Sequence, residues 1–434
     1  MDRSQAIETI SQRLGNRRLI WIGNIGEDAR SLVGVPQFSH CYATVSPLDA
    51  PGVEAPEVET LRGERRGDYD ASSLLSPAAQ VMIQSLVHAV DAPAAIACEL
   101  PYDYLPYILS MGRSIDYLGI SGDLYRALGD KLAVESELRG RPGIETIAWT
   151  VLPEGPARAQ AARDGLERGP VVLRGGAHGG GLGHELIQHA GQLAESRLLH
   201  IDTPVAMAAY LRDYLPICIG ACVFPDGGVT LHTASLQLIG IQACRRHDFG
   251  YCGNDFGAIK QLGARTLDRV ETCVRSAGAF LHAKGFVGAY GVDLLVREQE
   301  VLFVEINPRF LGSSAMSARI DRDADLPDVY LDHLMACLGV PAHESPTLAE
   351  QIARQASLSQ IYCHNIGPDP VHPAAEPKLP AGFKPSLLPA PDVRVAPGAT
   401  LCRLTSETNV TVDGLSLLPD AIAAVEAVWR SFES

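Results

Sequence analysis

The chain lacks any apolar run close to the roughly 20 residues that a membrane-spanning helix needs. Its first residues, MDRSQAIETISQRLGNRR, are polar where the apolar core of a leader would stand. A cytoplasmic protein without membrane contact is therefore expected. The chain also lacks a CxxC pair, and its ten cysteines are scattered. That argues against a zinc centre or a disulfide framework and for buried, reduced thiols. Cys218 and Cys222 are four residues apart, but no further metal-ligand types flank them. Positive charge is short as well: 36 basic against 51 acidic residues leave a formal net charge of −15. General nucleic-acid binding depends on neutralising phosphates, so it is not expected. A local cationic pocket for a small phosphate remains compatible with that balance. The GK[ST] ending of a P-loop is missing, and Gly23 and Gly26 in WIGNIGEDA lack the full GxGxxG spacing. No Ser/His/Asp or Cys/His nucleophile arrangement stands out.

What is present is ordinary globular material, 46% hydrophobic and 20% charged over 434 residues. That length exceeds one ordinary core and predicts two to four subdomains. LIWIGNIG (19–26) and AAIACEL (94–100) read as strands, with an amphipathic helix around 77–90, so residues 1–120 read as an α/β unit with parallel strands. Residues 122–140 have helical period, 143–152 and 170–174 read as strands, and 156–168 as a helix. Apolar pieces around the turn PDGG form a hairpin, and 264–284 and about 325–339 are helices. Proline and alanine dominate 364–398, which reads as a linker or extended arm before a small β element and a closing helix.

The segment most directly tied to chemistry is GAYGVDLLVREQEVLFVEINPR, residues 288–309. Two apolar runs flank a polar REQE turn, the pattern of a β-hairpin. A short loop centred on Gln299 places Asp293 opposite Glu305, where two like charges about 5 Å apart destabilise each other. Strand alternation puts Asn307 on the same face as Glu305. Two carboxylates and an amide oxygen on a mostly buried face call for a cation. Hard oxygen donors suit magnesium or manganese, with phosphate oxygens completing the shell.

A second signal is GGAHGGGLGHE (175–185), which directly follows a strand ending in Arg174. Backbone N–H groups of such a loop can converge on an anion, because glycine allows the required φ values and close approach. Lys131, upstream, supplies a second cation. In the segment GIQACRRHDFGYCGNDFG, Arg245 and Arg246 are candidates to meet a substrate carboxylate, while His232 and Gln237 on the preceding strand read as structural.

The order of these features resembles the ATP-grasp superfamily over roughly residues 120–320, and within it the carboxylate–amine ligases, including the pheganomycin-type peptide ligases. The resemblance implies an α/β and α+β architecture. An N-terminal α/β domain (1–121) would precede two ATP-gripping subdomains (122–205 and 206–345) and a C-terminal extension (346–434). It implies that Lys131 and Arg174 bind phosphates and that Gly179, Gly180, Gly181 and Gly183 close over them. Tyr210 and Leu211 would meet adenine, Asp293, Glu305 and Asn307 would hold Mg2+ or Mn2+, and Arg309 would face the reacting group. Three positions depart from the family pattern: Arg174 stands where lysine is usual, AAYLRDYLP lacks a Glu-Glu pair and leaves Asp213 as the nearest acid, and Gly291 stands where some relatives carry arginine. The implied reaction joins a small carboxylate to an amine, such as an amino acid or peptide, at the expense of ATP. A homodimer is an expectation of the same kind. The alternatives are a biotin-carboxylase-like enzyme and a non-catalytic Mg-ATP-binding module.

Overall fold

Short apolar strands alternating with helices build a parallel sheet at the N-terminus. Helix α1 (Arg3–Leu14) starts at a capping box, in which Asp2 accepts from the Gln5 N–H and Gln5 accepts from that of Asp2. Strands β1 (Arg18–Ile25) and β2 (Phe38–Val45), helix α2 (Pro77–His88) and strands β3 (Ala94–Cys98) and β4 (Ile115–Leu118) follow. All neighbours in the order β2-β1-β3-β4 are parallel. The computed structural model of the chain describes residues 1–55, 63–66, 77–88, 93–99, 115–155, 157–176, 181 and 183–433.

The helical stretch expected over 122–140 is two helices, α3 (Gly122–Gly129) and α4 (Lys131–Leu138). Asp130 separates them and caps α4, its carboxylate accepting from the Ala133 N–H at 3.1 Å. The break places Lys131 in the first turn of α4, where its N–H donates to the Gly176 carbonyl at 2.9 Å.

A small antiparallel sheet comes next: β5 (Thr150–Val151), helix α5 (Ala157–Leu166), β6 (Val171–Gly175), β7 (His184–Ile187) and β8 (Val205–Ala209), ordered β5-β8-β6-β7. The strand expected over 143–152 shrinks to two residues. Its first half is used elsewhere, because the Phe303 N–H donates to the Glu145 carbonyl at 2.7 Å and Thr146 bridges Phe303.

Among the described residues, the largest sheet has nine strands. Its members are β9 (Leu215–Val223), β10 (Val229–Leu231), β11 (Ser235–Ile239), β12 (Tyr251–Asp255), β13 (Gly288–Arg297), β14 (Glu300–Asn307), β15 (Ser359–His364), β16 (Phe383–Ser386) and β17 (Thr400–Ser406). The order is β14-β13-β9-β11-β12-β15-β17-β16, with β10 paired to β9. The stretch read as a linker thus contributes β16 at the sheet edge, and Pro385 is tolerated there because an edge strand need not donate on both sides. Helix α6 (Ala264–Ala283) packs Leu267, Val270, Val274, Ala277 and Leu281 onto the sheet. Helix α7 (Ser314–Asp323) follows β14, and α8 (Val329–Cys337) joins the sheet to the N-terminal unit through Leu331, Leu334 and Met335, packed with Trp21 and Ala289. Each fully buried aliphatic side chain of this kind contributes about 1.5–3 kcal/mol. Helix α9 (Pro419–Trp429) covers the C-terminal strands. None of the ten cysteines is in a disulfide. Among the described residues, no helix is long and apolar enough to cross a membrane.

His232 proves structural, as read from the sequence. Its Nδ1 lies 3.0 Å from Asp321 and its Nε2 3.3 Å from Asp332. Burial alone would lower its pKa, but the two aspartates outweigh burial and raise it to about 10. The imidazolium therefore stabilises the fold fully below the ordinary histidine value of 6.5 and loses that contribution as pH rises through about 10. We expect His232→Gln to lower stability by about 3–5 kcal/mol at pH 6. In denaturant titrations the gap from wild type should shrink between pH 7 and 10; a gap independent of pH would exclude a charged His232.

Candidate active site

The hairpin does place Asp293 opposite Glu305, but by a different route from the one expected. Arg297 pairs with Glu300, so the turn is only Glu298 and Gln299, with Glu298 in the left-handed region (φ 53°). Extended unbroken, that register would set Asp293 against Val304. Instead the pairing jumps from Leu294–Phe303 to Asp293–Glu305, leaving Val304 as the extra residue of a β-bulge. The bulge turns two successive side chains to one side. Phe303 and Ile306 lie in the core, whereas Val304, Glu305 and Asn307 line a cleft.

Around Glu305 the charges alternate. Lys131 Nζ is hydrogen-bonded to Glu305, with both side chains almost fully buried. Arg174, completely buried, sits 3.8 Å from Glu305, donates to Glu135 at 2.8 Å and to the Val304 carbonyl at 3.1 Å. Its guanidinium also lies 5.4 Å from the centre of the Trp149 ring. Burial pushes Glu305 upward, yet Lys131 and Arg174 together prevail and hold it at about 2. Asp293 goes the other way: burial and the neighbouring Glu305 raise it to about 7. Gln237 and Asn307 each donate to Asp293 at 3.0 Å, and Asn307 also reaches Glu305 at 3.3 Å. Gln237 therefore belongs to this cluster rather than to the framework. Arg309 donates to Asn307 at 3.3 Å and to the Phe310 carbonyl at 2.8 Å.

Asp293, Glu305, Asn307 and Arg309 line a cleft with about 240 Å³ of internal space. Its wall also carries an apolar set, Trp149, Val172, Ala208, Leu295 and Val304, with Tyr210 and Leu211 from the link between the two sheets. A cavity with apolar walls and a few convergent polar groups fits a small-molecule ligand. Two buried N–H donors, Arg174 Nε and Trp149 Nε1, have no acceptor among the described residues. Gly181 lines the cleft with φ +81°, and a Cβ there would collide with the Phe249 carbonyl, so this position requires glycine. Gly183 accepts from the Gly175 N–H at 2.9 Å. Gly179 and Gly180 lie outside the described residues. Gly291 lies under Leu311, whose side chain would have to shift to admit a Cβ.

Lys131, Arg174, Asp293, Glu305, Asn307 and Arg309 thus converge around Glu305 and Asn307, and Tyr210 and Leu211 line the same cleft. Arg245 and Arg246 do not join them. Arg245 sits 3.3 Å from His364, Arg246 is exposed, and it is Asp248, Phe249 and Tyr251 from that segment that reach the cleft. Asp213 is exposed at a left-handed turn (φ 63°) outside the cleft wall. Sequence reading missed Glu135, although its spacing of four from Lys131 marks one helix face. It also missed His184, which stacks near Phe249 at 5.6 Å. Burial, then Arg174 and Lys131, lower His184 to about 3, so it is neutral at ordinary pH.

Among the described residues, no group of three or more His, Cys, Asp or Glu side chains is arranged to hold a metal. The donor set here is two carboxylates and an amide. It fits a hard cation only where further oxygens, such as phosphates, complete the shell.

A family model described as the ATP-grasp domain matches residues 226–313. Comparison with curated protein sequences gives no match. Among solved structures, the biotin carboxylase of Campylobacter jejuni in its β-γ-ATP complex superposes with a TM-score of 0.60 at 17% identity, covering 91% of this chain and 89% of that one. The biotin carboxylase domain of Hydrogenobacter thermophilus 2-oxoglutarate carboxylase gives 0.61 at 16% identity, over 90% and 86%. An ADP complex of N5-carboxyaminoimidazole ribonucleotide synthetase gives 0.58 at 13% identity, over 96% and 97%. The fold is ATP-grasp. Within the ATP-grasp frame, the bulged hairpin β13–β14 is one jaw of the cleft and the small sheet the other.

The opposed carboxylates make a stability prediction. A carboxyl whose pKa is raised in the fold costs stability as pH rises from its unfolded value near 3.8 through about 7. Asp293→Asn removes that cost. The variant should be more stable than wild type at pH 8, without ligands, by on the order of 1 kcal/mol. The advantage should fade by pH 4; an equal or lower melting temperature at pH 8 would contradict the raised pKa.

Proposed function

We propose that this ATP-grasp chain is an ATP-dependent carboxylate–amine ligase that forms ADP and phosphate. The observation that carries the reading is the single cleft end at which Asp293, Glu305 and Asn307 face Lys131 and Arg174. The similar structures bear names and bound nucleotides that support it: β-γ-ATP, MgADP and ADP. In this reading Lys131 and Arg174 neutralise phosphate oxygens, and adenine lies in the apolar end against Tyr210 and Leu211. Lys131 exchanges Glu305 for phosphate when the nucleotide enters. Asp293, Glu305 and Asn307 would hold magnesium, which when bound would supply positive charge against the phosphate oxygens. A carboxylate oxygen of the acid attacks the γ-phosphorus, and the bond to ADP breaks. The amine, as its free base, then attacks the acyl carbon, phosphate departs with the C–O electron pair, and the proton lost from nitrogen goes to the departing phosphate. Phosphoryl transfer of this kind asks the protein for position and charge more than for covalent help. Arg309 faces the reacting carboxyl. Gly181, seated on Phe249, keeps water from the acylphosphate. Within this class, amino acids or peptides as substrates, as in pheganomycin-type ligases, and a dimeric assembly are the finer expectations.

A carboxylase-like reaction is the second reading. The biotin carboxylases align over nearly the whole chain, and one is a complex with bicarbonate. ADP release that depends on bicarbonate would favour it.

The direct test incubates the protein with Mg-ATP, hydroxylamine and pools of small carboxylates. ADP together with a hydroxamate is the expected result; AMP with a hydroxamate would overturn the acylphosphate route. Glu305→Ala and Asn307→Ala should abolish turnover while circular dichroism still reports a folded chain, and Glu305→Ala should also lower the melting temperature, because Lys131 is left buried without its partner. Near-normal activity of Glu305→Ala would remove the metal assignment. Arg309→Ala should still bind ATP yet lose coupling, and unchanged ligation would take Arg309 out of the site. Gly181→Ala forces a left-handed alanine at about 1–2 kcal/mol. Mg-ATP affinity should fall roughly five- to thirtyfold in calorimetry.

A further inference from the structure

Three carboxamides stand in one row across the large sheet. Gln237 on β11 pairs directly with Asn254 on β12, and Asn254 pairs with Gln360 on β15, both antiparallel. Directly opposed residues share a face, so all three lie on the face that Gln237 presents to the cleft. Asn254 and Gln360 are completely buried. Amides at such positions cost stability unless their hydrogen bonds are made, and a made network fixes one arrangement of its surroundings.

Gln237, at one end of the row, holds Asp293. At the other end, Gln360 Nε2 reaches the Gly312 carbonyl at 2.9 Å, Asn254 Oδ1 at 3.0 Å and the Tyr251 hydroxyl at 3.2 Å. The Tyr251 hydroxyl itself donates to Asn254 Oδ1. Asn254 turns its amide N–H groups the other way, to Ser235 Oγ at 3.0 Å and Cys218 Sγ at 3.4 Å. Cys218 Sγ lies 3.6 Å from Ser313 Oγ. A flipped Gln360 would set its oxygen against the Gly312 carbonyl and Asn254 Oδ1, both acceptors, so the amide is fixed as a donor. Its own Oε1 accepts no bond among the described residues. Gln360 thus forgoes its acceptor capacity to hold the Gly312 carbonyl.

What the row anchors is the turn 308–313. Gly312 rests on the Tyr251 ring, where a Cβ would come within 2.9 Å of Cε1. The Leu311 N–H donates to Ser314 Oγ at 2.9 Å, and Ser313 is tied to Cys218. Arg309 lies between the two fixed ends of this turn. Its N–H donates to the Asn307 carbonyl at 2.8 Å, and its guanidinium bonds the Asn307 side chain. Arg309, Leu311, Gly312 and Ser313 all line the cleft, whereas Asn254 and Gln360 do not. The two amides therefore reach a bound molecule only through the turn.

We propose that Gln360 is a positioning residue for Arg309: a side chain of the C-terminal extension that sets the turn from which Arg309 enters the cleft. The proposal rests on the ligase reading above. It gives the strands beyond residue 345 a part in coupling rather than in nucleotide binding.

The test is a double-mutant cycle. Gln360→Met keeps the length of the side chain and removes its donors. Wild type, Gln360→Met, Arg309→Ala and the double variant receive Mg-ATP, hydroxylamine and the acid identified by trapping. Gln360→Met should lower the hydroxamate formed per ADP about tenfold, while its Kd for Mg-ATP in calorimetry stays within about twofold of wild type. Over the longer incubation that Arg309→Ala needs, adding Gln360→Met should change the residual yield by less than about twofold, because a residue that acts through Arg309 has nothing left to act on. Losses that multiply in the double variant would overturn the proposal. So would an unchanged yield, or a parallel fall in nucleotide affinity, which marks a merely structural role. If Gln360→Met does not fold, Tyr251→Phe takes its place in the cycle: it keeps the ring under Gly312 and removes the hydroxyl that Gln360 and Asn254 share. A loss of at least about threefold that disappears beside Arg309→Ala is then expected, and no loss, or a multiplying one, overturns the role. Absence of hydroxamate from wild type is a different failure: it removes the ligase reading itself, and the positioning role with it.

Discussion

The cleft depends on one carboxylate in an alternating row of charge. Lys131, Glu305, Arg174 and Glu135 follow one another as plus, minus, plus and minus, all nearly withdrawn from water. Any one of them buried alone would cost several kcal/mol of desolvation, and in sequence each offsets its neighbours. Lys131 and Glu135 come from helix α4, Arg174 from the small sheet and Glu305 from the hairpin of the large one. The row therefore sets the distance and angle between the two jaws as well as the charge of the site. It also stores the cations that a phosphate would need, already dehydrated and already in place.

The rest of the architecture serves to point Glu305 in that direction. In a regular two-residue hairpin its side chain would enter the core, where Phe303 and Ile306 lie. The bulge at Val304 turns it outward and gives the apolar end of the cleft a wall residue in the same move. A bulge beside a site, re-aiming a side chain, is a common use of the motif. The strands beyond residue 345 extend the same sheet. The N-terminal sheet meets the end of the hairpin at a small cavity whose wall Glu99 and Arg309 share.

Much of this was legible from sequence where period decides. The opposed acids and the position of Asn307 follow from alternation about the REQE turn. The parallel N-terminal strands follow from their spacing with helices. The route was not legible, because a turn one residue shorter and one bulged residue give the same pairing as a longer turn. The segment 143–152 read as a strand from its own composition, but half of it is committed to Phe303, a partner about 160 residues away. Arg245 and Arg246 looked like substrate ligands because charge in a glycine-rich loop is ambiguous; the fold directs Phe249 and Tyr251 inward instead.

Local pattern alone therefore determined the elements, the facing carboxylates, and the glycine-rich loop after a strand that ends in arginine. Those are short-range matters of periodicity, turn chemistry and glycine's freedom in φ. Only the tertiary structure decided which charges meet. Glu135, His184, Gln237 and Glu99 are unremarkable in sequence, and they acquire strong electrostatic neighbours only when separate sheets close on one another. The energy of a buried charge depends on what lies within a few ångströms of it, and no spacing along the chain contains that information.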